Sequence, residues 1–223
     1  MESQVRGGTR WKRFAVVMVP SVAATAAIGV ALAQGALAAS FSVSGQEFKV
    51  TADSLEGTGF SQYGALDTGY TLSGQKAGHA VAVSAFDEAH IKKMCQSVVT
   101  PNLPLVGTVT LTLKAGDSSD KDGQVYAKNL YIDVDDLGTT SAQFDNIDIG
   151  VAAGDMSKDK GGKGPGMKGG KEAANPFGFG QQADKATLTG VKQTAWATTA
   201  GTFKLPGLHM SLHDGSGPNV ECY

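Results

Sequence analysis

The stretch Val106–Ala115, VGTVTLTLKA, decides the fold class. Val109, Leu111 and Leu113 alternate with threonines, so apolar side chains take one face and hydroxyls the other, which is the period of a β-strand. A polar turn, Gly116-Asp117-Ser118-Ser119-Asp120, ends the strand. The same alternation recurs on both sides of it. Phe41–Leu55 (FSVSGQEFKVTADSL) spaces Phe41, Val43, Phe48 and Val50 between polar residues, and His79–Phe86, Tyr126–Val134, Phe144–Val151 and Ala186–Leu212 follow suit. Gly57, Gly59, Gly64, Gly69, Gly74 and Gly78 exclude a long helix between Leu55 and His79 and are expected to make turns. One segment has helical spacing. In Phe86–Val99 (FDEAHIKKMCQSVV), Phe86, Ala89, Ile91 and Met94 can share a face and Asp87 and Glu88 fall in a first turn, so a short helix is expected there.

These elements make a mainly β, single-domain protein, either a sandwich or a curved sheet. A β-solenoid is the alternative. It rests on an echo between Ala52-Asp53-Ser54-Leu55, Ala127-Lys128-Asn129-Leu130 and Ala183-Asp184 followed by Leu188, which would be short rungs.

Ahead of the β domain, residues 1–38 read as a signal peptide. Arg6, Arg10, Lys12 and Arg13 form a basic start, the uncharged run Phe14–Ala39 follows, and Ala36-Leu37-Ala38 offers a cleavage site after Ala38 or Ala39. An N-terminal membrane anchor is the competing reading, because the run exceeds the roughly 20 residues of a span. Either way residues 39–223 face the outside, secreted or on the outer face of the cell envelope. Removing four bases and one acid takes the formal charge from −2 to −5, so nucleic acid is not an expected partner.

Residues 155–182 break the β pattern with GGKGPGMKGGK and are expected to be a flexible loop. Its lysines, Lys158, Lys160, Lys163, Lys168 and Lys171, could touch anionic lipid or cell-wall polymer, or simply be solvated. The two cysteines, Cys95 and Cys222, are expected to form one disulfide in an oxidising compartment; a catalytic thiol has no supporting motif.

Hydrolase signals are near-misses. Gly59-Phe60-Ser61-Gln62-Tyr63-Gly64 is one residue too long for a nucleophile elbow, which leaves Ser61 a weak nucleophile candidate or a turn serine. Gly116-Asp117-Ser118 follows a strand as in another esterase superfamily, but the matching Asp-x-x-His, Asp87-Glu88-Ala89-His90, lies upstream. His213-Asp214-Gly215-Ser216-Gly217 puts a base, an acid and a hydroxyl side by side, which makes His213, Asp214 and Ser216 candidates, though triads assemble in space. His79, His90, His209 and His213 lack the spacing of a zinc site. Asp120, Asp122 and Gly123 fit part of a calcium loop, yet Ser118 and Asn129 occupy its opening and closing ligand positions. Solvated turns are the expected account of Asp117, Asp120, Asp122, Asp133, Asp135 and Asp136. No cofactor is expected.

The segments ALAASFSVSG, FKVTADSLEGTGFSQYG and LPGLHMSLHDGSGPNVECY, with Cys95 and Cys222, resemble a family of small secreted actinobacterial (Streptomyces-type) proteins of unknown function, some of which carry the name cholesterol esterase. The resemblance implies an extracellular activity on sterol esters or related lipids through an activated nucleophile and an acyl-enzyme. It carries over no catalytic residue. Two functions are therefore expected: a secreted sterol-ester hydrolase, preferred on the resemblance, and a non-catalytic envelope protein that binds lipid, a membrane surface or a membrane protein. A curved sheet with one apolar face suits the second. A Ser, His and Asp cluster in space would favour the first.

Overall fold

The computed structural model describes residues 43–157 and 173–223. They form one antiparallel sheet of ten strands: β1 (Phe48–Tyr70), β2 (Lys76–Lys92), β3 (Met94–Leu103), β4 (Gly107–Ala115), β5 (Val125–Gly138), β6 (Ser141–Asp145), β7 (Asp148–Ala152), β8 (Ala173–Ala174), β9 (Phe179–Lys204) and β10 (His209–Asp214). The expected residues 1–38 of the signal peptide or anchor, and residues 158–172 of the expected loop, lie outside the described residues.

The ten strands are pieces of four long passes of the chain. β1 pairs with β2 and then β3 in an unbroken register, Ser54 opposite Lys92 and Thr51 opposite Cys95. β4 and β5 line the other edge of β3 and β2, with Ala115 opposite Met94 and Val125 opposite Ile91. β9 and β10 return along β5 and β4, while β6 and β7 extend the β5 edge against the first half of β9. The other edge of that half of β9 pairs with β1, from Phe48–Ala195 to Tyr63–Gly180. The ring β1, β2, β5, β9 thus closes on itself, which removes edges from the centre of the sheet. β3, β4 and β10 project from it as an open wing with β10 at its edge.

A strand as long as β9, 26 residues, would reach about 85 Å if straight, so it must bend. One line of bends crosses the ring where Gly59 (φ 62°), Asn129 (φ 49°) and Asn146 (φ 55°) take left-handed backbone. Pairing lapses there, between Thr58–Glu88 and Ser61–Ala85 and between Glu88–Lys128 and Phe86–Leu130. Aspartates fill the gaps: a Cβ on Gly59 would run into the Asp87 carboxylate, and the Asn146 amide donates to Asp184 at 2.6 Å. A second line passes through Lys93 (φ 53°), whose N–H donates to the Gly116 carbonyl at 2.8 Å.

The bends explain where expectation and structure part. Phe86–Val99 is strand, not helix, lying in β2 and β3. Its buried residues Phe86, Ala89, Ile91 and Met94 mimic helical spacing because the bends at Asp87 and Lys93 each insert one residue into a period-two pattern. The glycines of β1 do not make turns; the strand runs through Gly57 to Gly69, and the turn comes at Gly74 (φ 81°). The echo that suggested solenoid rungs falls on or beside the bends. The expected loop 155–182 also ends early, because Ala173–Ala174 pair with β1 and Phe179–Gln182 already belong to β9.

The core fills the ring, where Phe60 packs on Phe86 and Phe144 with ring centroids 5.4 and 5.1 Å apart. A smaller cluster on the other face of β1 joins Tyr63, Val81, Val83 and Met156.

Candidate functional site

The sheet holds Ser61 apart from His213 and Asp214. Ser61 sits on β1 between Ala85 and Gln182, fully buried, its hydroxyl without a partner among the described residues. Ser118 lies in the excursion between β4 and β5, where its Oγ accepts the Asp120 N–H at 3.1 Å. His213 and Asp214 are on the edge strand β10, separated from β1 by β4 and β3, and Ser216 follows in the C-terminal tail. Near these residues one contact escaped the sequence reading: Ser211 Oγ lies 2.9 Å from His213 Nε2 and 2.8 Å from Thr112 Oγ1. Residues two apart on a strand share a face, so this pair is local, while the intervening strand geometry turns Asp214 to the opposite face. Among the described residues no three His, Cys, Asp or Glu side chains converge as metal ligands.

The cysteines do pair: Cys95 and Cys222 form a disulfide with Cα atoms 5.8 Å apart. The tail it fixes crosses one face of the wing. Thr110 Oγ1 donates to the Gly215 carbonyl at 2.7 Å, and the Cys222 N–H donates to Ser97 Oγ at 3.1 Å. Lys49 meets Glu221 at 2.7 Å, and its hydrogen bond is the main reason the Glu221 carboxyl is held below the usual range.

Two further groups are buried that composition placed in solvent or left unremarked. Asp133, expected in a solvated turn, is buried on β5 close to the fully buried Asp67 of β1. Burial pushes the Asp67 carboxyl up, and the contacts with Asp133 and with His79 across the β1–β2 pair pull it part of the way back. His79 in turn stacks on Trp196, centroids 3.5 Å apart.

The tail covers the threonine face of the wing, so the apolar face is the one left open. Thr110 and Thr112 are buried, whereas Leu111, Met210 and Leu212 are 36, 55 and 65% exposed. Register places Val98, Leu111 and Leu212 side by side, with Leu113 and Met210 in the next row. The β3–β4 hairpin carries Leu103, Leu105 and Val106 at its tip, with Leu105 fully exposed. This face runs into the ring without a break. One row of directly paired residues passes through Leu137, Gln193, Val50, Gln96, Leu113 and Met210, from β5 to β10. Where the row enters the ring, two small chambers of about 110 and 30 Å³ lie end to end, sharing Leu55, Ile132 and Gln193. A larger outer groove, about 670 Å³, runs past the disulfide, but Asp53, Lys93, Lys114 and Lys192 line it and it is wide open, a poor match for an apolar ligand.

Residues 44–223 match a family described as a family of unknown function, DUF6230. No curated protein and no solved structure matches the chain.

Proposed function

The chain thus belongs to the DUF6230 family, and from its geometry we propose that it is an exported, non-catalytic lipid-binding protein of the cell envelope. The observation that carries this reading is the open apolar face of the wing, continuous with the interior of the ring. A soluble sheet normally buries such a face; here the tail is spent on the threonine side and the leucines stay in contact with solvent. The protruding tip Leu103–Val106 suits a fluid lipid surface, which can close around it, better than a flat protein partner. The disulfide accords with an oxidising compartment, and the basic, then apolar N-terminus with export as signal peptide or anchor. Resemblance to secreted actinobacterial proteins named cholesterol esterase points to the same class of ligand.

Sterol-ester hydrolysis is the second reading, favoured by the Ser211–His213 contact. Among the described residues no acid is seen to orient the imidazole, and the pair is exposed on an edge strand, so this reading ranks below binding. Incubating the purified protein with vesicles that carry cholesteryl oleate separates the two. Binding with no release of cholesterol is the expected result. Release that Ser211→Ala abolishes, in a protein that still folds, would establish the hydrolase instead.

A further inference from the structure

Within the apolar row that joins ring to wing, two side chains are amides. Gln193 and Gln96 flank Val50, one on each side of it, and both line the smaller chamber. Gln193 is only 6% exposed and lines the larger chamber as well. Its cross-strand neighbours on this face, Val50 and Leu137, cannot hydrogen-bond to it, and none of the described residues does so. Gln62, at the far end of the larger chamber, is different: it donates to Ser84 at 2.8 Å and accepts from Gln181 at 2.6 Å. A buried amide facing an apolar chamber costs stability unless something polar enters to meet it.

We infer that Gln193 and Gln96 form the polar end of a site for a linear fatty acid, whose carboxyl group sits over Val50 between the two amides while its chain runs outward over Leu113, Met210 and Leu212. This inference rests on the lipid-binding reading and narrows it. Two primary amides offer both donors and acceptors, so they can satisfy a carboxyl group in either protonation state. Chamber size sets the direction of the chain: about 110 Å³ is the share of roughly four water molecules, too little for a long chain or a sterol ring system. The long apolar part therefore has room only on the open wing. Sterol esters would be excluded from the polar end.

The test is equilibrium binding of radiolabelled palmitate, hexadecane and cholesteryl palmitate, delivered from cyclodextrin, to the full-length protein and to Gln193→Leu and Gln96→Leu. The wild type is expected to prefer palmitate over hexadecane by about tenfold or more, and each substitution to remove most of that preference. Hexadecane binding should be retained or tightened in both variants, since leucine removes a polar group from the chamber, and its retention also reports that they fold. If Gln193→Leu misfolds, Gln96→Leu carries the comparison. Equal binding of palmitate and hexadecane by the wild type, palmitate binding unaffected in both variants, or cholesteryl palmitate bound as tightly as palmitate would overturn the inference. Were palmitate refused while lipid vesicles are still bound, the fatty-acid site falls and the broader reading stands; refusal of both ends each of them.

Discussion

Replacing Asp67 with asparagine should stabilise the protein at neutral and alkaline pH and flatten its pH dependence. Asp67 and Asp133 are 0 and 4% exposed and close together. Two neighbouring buried carboxyl groups disfavour double ionisation, because each charge is desolvated and repels the other. Burial raises the Asp67 carboxyl above its ordinary value, with Asp133 and the charge of His79 offsetting part of the rise. The folded protein therefore holds the Asp67 proton to higher pH than the unfolded chain does. Stability from this pair is full below the ordinary aspartate value, about 3.9, and is lost as pH rises through the raised one. The side-chain amide introduced by Asp67→Asn would donate to the Asp133 carboxylate with no proton to lose. A hydrogen bond to a buried charged group is worth about 1.5–3 kcal/mol, which for a domain of about 180 residues is roughly 4–10 °C in Tm. Thermal unfolding followed by circular dichroism at pH 4, 6 and 8 measures it. Asp67→Asn should melt higher than wild type at pH 8 by that margin, with the gap closing towards pH 4. A gap independent of pH, or a variant that melts lower at pH 8, would refute the argument from Asp67 protonation.

Two other perturbations probe the fold. Cys95→Ser with Cys222→Ser opens a loop closed across 127 residues; the chain-entropy model puts the loss at about 4.9 kcal/mol, so a fall in Tm of roughly 10–20 °C is expected, and a loss under about 1 kcal/mol would mean that Lys49–Glu221 and the Ser97 bond already hold the tail. Gly59→Val should cost more than about 2 kcal/mol in urea unfolding, since it meets both a φ of 62° and the Asp87 carboxylate, whereas Gly64→Ala, where added atoms meet open space, should cost under about 1.

How far the sequence could be read depended on distance along the chain. Alternation in VTLTLKA identifies a strand because its two faces are a local property, and the β class follows. Which face is buried is not local: the tail that covers Thr110 and Thr112 arrives more than a hundred residues later. Bends have the same double character. The spacing of Phe86, Ala89, Ile91 and Met94 is the sum of two one-residue insertions in a strand, and only the neighbouring positive-φ positions, Gly59, Asn129 and Lys93, tell it from a helix. The disulfide was legible from two cysteines in a chain whose N-terminus reads as an export signal. Gln96 and Gln193 were not, because nothing short of the register that sets both beside Val50 distinguishes them from glutamines on a solvated face. Asp133 likewise reads as part of an acidic turn until closure of the ring brings it against Asp67.

The central claim, that the open face of the wing binds lipid, is tested most directly by flotation with phosphatidylglycerol–phosphatidylcholine vesicles. Wild type is compared with the paired substitution Leu111→Asp and Leu212→Asp, which charges the exposed centre of that face and leaves the ring core untouched. Wild-type protein should float with the vesicles at low and high salt, and the variant should remain at the bottom of the gradient with its Tm within a few degrees of wild type. A wild type that never floats, or a folded variant that floats as well as wild type, would contradict the account.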